Sequence, residues 1–168
     1  MTEYKAHWSK SLVVVSLAAT VICLGSAYFV AEQDGRGFAS WPALLLLAIV
    51  MGSALFTIRG YAIGPDAILV RRLFWATRLP LAGLQHASFD PEAMRRSIRT
   101  FGNGGLFSIT GFFRSKALGS YRAFVTDQNR TVVLRYSKRT VVLSPTEAEE
   151  FVRDVYNAAK LANPPPTH

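Results

Sequence analysis

Tyr61-Ala-Ile63, Gly64-Pro65-Asp66 and Ala67-Ile-Leu-Val-Arg-Arg-Leu73 follow one another without a break, and their reading decides the architecture of this chain. Apolar residues on either side of a Gly-Pro-Asp triplet predict strand, tight turn, strand. Six further runs continue the pattern: Phe74 to Leu81, Leu84 to Phe89, Leu106 to Phe113, Tyr121 to Thr126, Thr131 to Tyr136 and Thr140 to Leu143. Gly, Asn, Asp and Lys separate them, as in short hairpins. Roughly seven strands at this spacing imply an antiparallel sandwich or barrel. The series ends at Ser144-Pro145-Thr146-Glu147, where serine, first-turn proline and glutamate make a capping-box pattern. Beyond it Ala148, Phe151, Val152, Val155, Tyr156 and Ala159 recur at helical spacing, so one amphipathic helix must bury that stripe against the sheets. Residues 163–168, Asn-Pro-Pro-Pro-Thr-His, cannot continue it and read as a frayed tail.

Upstream of the strands the pattern changes from alternation to continuous hydrophobicity. Residues 11–31 and 37–58 are two uncharged runs of 21 and 22 residues. As helices each reaches about 30 Å, the thickness of the hydrocarbon core. Residues 32–36 leave room only for a tight loop between them. A two-helix transmembrane hairpin is the expectation. A buried helical hairpin would need a large apolar partner surface that the β region does not offer. Lys5 and Lys10 precede the first run, and Arg59, Arg71 and Arg72 follow the second, whereas the loop holds one arginine against two acids. The positive-inside bias therefore puts the N-terminal residues 1–10 and the C-terminal domain, residues 59–162, in the cytoplasm of an inner (plasma) membrane. A cleaved signal peptide is the alternative for the first run and leaves the domain on the same side.

Composition agrees with this division. Among 168 residues 50% are hydrophobic and 18% charged, with a mean hydropathy of +0.20 and a net charge of +8. Such a chain is not disordered. Residues 59–168 hold 16 Lys/Arg against 8 Asp/Glu, so the whole excess lies there, while the first 58 balance three against three. The lone Cys23 excludes an internal disulfide or a cysteine-clustered zinc site, and His7, His86 and His168 are too scattered for a metal centre. No cofactor is expected.

Several segments taken in order resemble the bacterial pleckstrin-homology-like (PH-like) family. They are Gly60-Tyr-Ala-Ile63, Arg99-Thr-Phe-Gly-Asn-Gly-Gly-Leu-Phe107, Gly111-Phe-Phe113, Leu118-Gly-Ser-Tyr121, Val125-Thr-Asp127, and Val142-Leu-Ser-Pro145 with Phe151-Val152. The resemblance covers about residues 60–155. It implies an α+β, mostly β fold, a PH-like sandwich closed by a C-terminal helix and often attached to membrane spans. The family's activity is largely undefined, so the resemblance implies a fold and a location more than a reaction.

Gly102-Asn103-Gly104-Gly105 is the one glycine-rich segment. No Gly-Lys-Ser/Thr follows it and a strand comes next, so it predicts a turn with positive φ at one or more glycines, or a binding edge built on that turn. Arg95, Arg96 and Arg99 precede it, and Arg114, Lys116 and Arg122 follow. Gathered together, these six are the candidate contact for anionic lipid headgroups or a protein partner; dispersed, they are a solvated face. The first strand–strand turn, Gly64 to Ala67, offers an acid and no base, which disfavours specific phosphoinositide recognition there. His86 reads as a surface or packing residue and no serine lies in a nucleophile motif, so an enzyme is not expected. Nucleic acid is disfavoured because Phe107, Phe112, Phe113 and Tyr121 alternate like core residues. The expectation is a non-enzymatic docking or assembly module beside the bilayer. The alternative is a structural subunit that forms homo-oligomers or joins a transporter or cell-envelope complex.

Overall fold

A computed structural model of the chain describes residues 1–33 and 41–161. Chain order is β1 (Thr2–Lys5), α1 (Lys10–Gln33), α2 (Trp41–Leu55), β2 (Ile58–Ile63), β3 (Ala67–Arg72), β4 (Ala76–Pro80), β5 (Leu84–Phe89), β6 (Ile98–Gly104), β7 (Ile109–Ser115), β8 (Gly119–Val125), β9 (Val132–Tyr136), β10 (Thr140–Leu143) and α3 (Ala148–Ala159). The strands form two sheets, β1-β2-β3-β4 and β5-β9-β10-β8-β7-β6.

Strand, turn, strand holds as predicted around Gly64, whose N–H donates to Ala67 O at 2.9 Å. The pleat parts Arg71 from Arg72: Arg71 is exposed and pairs with Glu3, while Arg72 is buried. Tyr61, Ile68 and Leu79 of the first sheet meet Phe124, Leu134 and Leu143 of the second, with Phe151 and Val155 of α3 closing the core. Each such side chain contributes about 1.5–3 kcal/mol by leaving water. Tyr61 reaches the centre of this core, where its hydroxyl donates to Phe124 O at 2.7 Å and burial pushes its pKa up to about 12. On α3 the stripe Ala148, Phe151, Val152, Val155 and Tyr156 is buried, and Tyr156 Oη lies 2.9 Å from His86 Nδ1, so His86 is a packing residue.

The architecture departs from the expectation in several places. There are ten strands among the described residues instead of about seven, and β8 and β10 run parallel within an otherwise antiparallel sheet. β1 precedes the helices, yet it pairs with β2 from Thr2↔Ile63 to Lys5↔Gly60. It is anchored by Tyr4, which stacks edge-on to Phe151 at 5.1 Å and donates to Asp154 Oδ2 at 2.8 Å. Gly60 allows the close approach, because a Cβ there would lie 2.5 Å from Tyr4 O.

The capping box does not form. Ser144 is buried at the end of β10, where its hydroxyl accepts from the Thr126 amide at 2.8 Å; Thr146 donates to Lys5 O instead. The helix begins at Ala148 with Glu147 as an N-cap that makes no side-chain bond. The predicted strand 74–81 is shortened to Ala76–Pro80 because residues 73–75 make the β3–β4 connection, and the strand 106–113 becomes Ile109–Ser115.

At the helices, α1 runs through Glu32 to Gln33, past the boundary expected at residue 31. The remainder of the loop, residues 34–36, and the start of the second run, residues 37–40, lie outside the described residues, as does the tail 163–168. The second run leaves helical geometry after Leu55, and its Ile58 already opens β2.

Candidate functional site

α1 is 24 residues long and apolar, and among the described residues it alone is long and apolar enough to cross a membrane. Most of its apolar side chains, Val14, Leu17, Val21, Ile22 and Phe29 among them, are exposed rather than packed in a core. It meets α2 through Ala27, Ala31 and Ala43, small residues that let two helices approach closely. Both helices join the sandwich at the same end. Ser9 caps α1 by accepting from the Leu12 amide at 3.2 Å, and Trp8 Nε1 donates to Ile58 O at 3.3 Å, which ties the entry of α1 to the exit of α2.

The β6–β7 hairpin projects along these helices. Gly102 and Gly111 are opposite one another, with φ of 115° and 149°. Their backbones pass so closely that a Cβ on Gly111 would lie 2.1 Å from Phe101 O. The expected positive φ is therefore present at Gly102 and Gly105, but the turn itself falls at residues 105–108, because β6 continues through Gly104. Asn103 holds that turn by accepting from the Leu106 amide at 3.1 Å. Ser16 of α1 docks on it: the Phe107 amide donates to Ser16 Oγ at 2.8 Å, and Ser16 is buried there. Between the hairpin and α2 lies a groove of about 610 Å³, walled by Ile49, Gly52 and Phe56 on one side and Phe101, Gly111 and Phe112 on the other. Phe101 is 75% exposed beside it.

The six basic candidates are divided by the register. Arg114 and Arg122 share a face with Phe112, whereas Arg99 pairs with Phe113 on the other face. Arg95 and Arg96 lie in the connection before β6, where Arg95 Nη1 donates to both carboxylate oxygens of Glu92, at 2.7 and 2.9 Å. Lys116 lies in the β7–β8 turn. Arg122 is the one among them that lines the groove, and its guanidinium lies over the Phe124 and Phe112 rings at 4.8 and 5.6 Å.

A family described as bacterial PH domain matches residues 59–159, more than half of the chain. The chain belongs to the bacterial PH domain family. No curated protein and no solved structure matches it. The matched residues include β2 through α3 and leave out α1, α2 and β1, so this PH domain completes its first sheet with a strand drawn from before the helices. Sequence reasoning missed three features of the site: Ser16, which looks like any small polar residue in an apolar run; the exposed Phe101, which sits in an unrecognised strand; and Arg72. The pleat did separate Arg72 from Arg71, a signal that one of the two would be buried.

Proposed function

We propose that this bacterial PH domain is anchored in the cytoplasmic membrane by α1 and α2 and works as a non-enzymatic docking module that reads anionic lipid at the inner leaflet. The observation that carries the reading is the exposed apolar surface of α1 joined to a sandwich that includes residues on both sides of the helices. Because β1 and β2 pair, residues 2–5 and 60–63 lie on one side of any bilayer, and a crossing by α1 requires a return through α2. A leader removed with α1 would take β1 and the buried Tyr4 with it, which disfavours the cleaved-peptide alternative. Positive charge flanking the helices supports a cytoplasmic location for the shared side. Phe74, 75% exposed, Trp75, which packs edge-on against Phe56 at 5.4 Å, and Phe101 supply aromatic contacts at the same end.

Hydrogen exchange of the full chain in lipid nanodiscs tests this. Protection of residues 73–75 and of the β6–β7 hairpin should rise with the fraction of phosphatidylglycerol and fall with salt. Equal protection in purely zwitterionic discs contradicts lipid reading. One observation favours a second reading, pairing with another copy or with a membrane-bound protein: β6 is an edge strand whose Ile98 is 73% exposed. Crosslinking in native membranes distinguishes the two, since a chain that stays monomeric removes the homo-oligomer.

A further inference from the structure

Arg72 is 7% exposed, yet among the described residues neither it nor Arg122 has a carboxylate within 4.0 Å. Both guanidinium groups lie over the same Phe124 ring, at 5.5 and 4.8 Å, and Arg72 also lies against Phe56 and Trp75. One end of Arg72 is accounted for: Nη1 donates to Phe56 O at 2.7 Å, just beyond the last turn of α2, where a cation suits the negative end of the helix. Its Nε is buried without a hydrogen-bond partner. Two neighbouring cations with no anion, one of them buried and incompletely bonded, cost free energy unless something negative joins them. Burial first, and the Arg122 charge second, push the Arg72 pKa below its ordinary value.

The same place opens onto the apolar groove. Arg122 lines it, and the opposite wall runs from Phe56, just past α2, back along the helix to Ala48, about 12 Å at roughly 1.5 Å per residue, toward the middle of the apolar run. Charge at one end and an apolar channel along a lipid-exposed helix match an amphiphile with an anionic head and a hydrocarbon tail. We propose that this groove holds one anionic phospholipid of the inner leaflet, its phosphate on Arg122 with the charge of Arg72 behind, and one acyl chain between α2 and the β6–β7 hairpin. The site rests on the membrane-anchored reading given above and makes it specific: a single bound lipid rather than diffuse attraction. Phe112 and Phe101 wall the chain, and the close Gly102–Gly111 crossing leaves the hairpin thin enough to lie beside it.

Native mass spectrometry of the full chain, delipidated in mild detergent and titrated with dioleoyl phosphatidylglycerol, tests the site. One retained phosphatidylglycerol per chain is expected, bound at least tenfold more tightly than dioleoyl phosphatidylcholine. Gly52→Leu places a branched side chain in the groove from a position where a Cβ meets nothing within 4 Å; it should abolish retention while the circular dichroism and melting of the chain stay unchanged. Arg122→Gln should weaken phosphatidylglycerol binding about fivefold and leave phosphatidylcholine unchanged. Competition by inorganic phosphate at the concentration of the lipid would mean an ion site without a chain and would overturn the proposal. So would equal retention by the two variants and the unaltered chain. If retention fails while hydrogen-exchange protection in nanodiscs still tracks phosphatidylglycerol, the site is wrong and the docking reading stands; if both fail, the docking reading falls as well.

Discussion

Two hairpins of the same six-stranded sheet are built on opposite principles. In β9–β10, Val132, Val133, Leu134, Val141, Val142 and Leu143 are buried on both faces, so the strands are held by packing within the sandwich. In β6–β7, every residue of β6 is exposed or only half-buried, two glycines cross at van der Waals limits, and the turn is held by Asn103 and by Ser16 of a different element. The first hairpin is folded by its own domain. The second is held to the sandwich through β7, which pairs with β8, while its turn and its outer strand lean on α1 through Ser16.

The largest separation between the two should come from the buried hairpin. Leu134→Ala removes a fully buried side chain and should cost about 2–5 kcal/mol in chemical denaturation, with loss of the whole sandwich at once. Gly111→Ala acts on the other hairpin: a Cβ cannot fit against Phe101 O, and a φ of 149° is unsuitable for alanine. About 1–3 kcal/mol is expected, read as faster amide exchange in β6 and β7 while β9 and β10 keep their protection. Uniform loss of protection would show that the two hairpins are one cooperative unit. Ser16→Ala leaves the Phe107 amide without its acceptor and should cost about 1 kcal/mol, confined to exchange at residues 105–108. Phe101→Ser should change stability by less than about 0.5 kcal/mol, since the ring is exposed, and yet reduce protection of the hairpin in phosphatidylglycerol discs. Phe101 thus separates folding from docking.

What the sequence made legible follows the same division. Strands buried on at least one face, β2, β3, β5, β8, β9 and β10, announce themselves through apolar runs or alternation, and α3 through its stripe. β6 does not: Ile-Arg-Thr-Phe-Gly-Asn-Gly buries no face, so periodicity has nothing to detect, and its glycines read as a turn. β1 offers a single buried side chain, Tyr4, in four residues beside a long apolar run. Ser144 misled for another reason. Its local context fits a helix cap, but the parallel β8–β10 pairing, a long-range contact, brings the Thr126 amide within reach first. The basic residues are visible individually in the sequence, but the register is needed to see that Arg99 and Arg122 face opposite ways, and the packing of the two sheets to see that Arg122 and Arg72 share the Phe124 ring.

In the proposed topology α1 and α2 cross the bilayer and return the chain to one side, where β1 and the rest of the sandwich are joined. Thiol labelling measures this most directly, with Glu3→Cys and Arg153→Cys placed singly in a Cys23→Ser background; both positions are exposed in the folded domain. With a membrane-impermeant maleimide, both cysteines should label in inside-out vesicles and neither in right-side-out vesicles until the membrane is permeabilised. Labelling of either position from the outer side, or release of the unlabelled protein from membranes by alkaline carbonate, would contradict it.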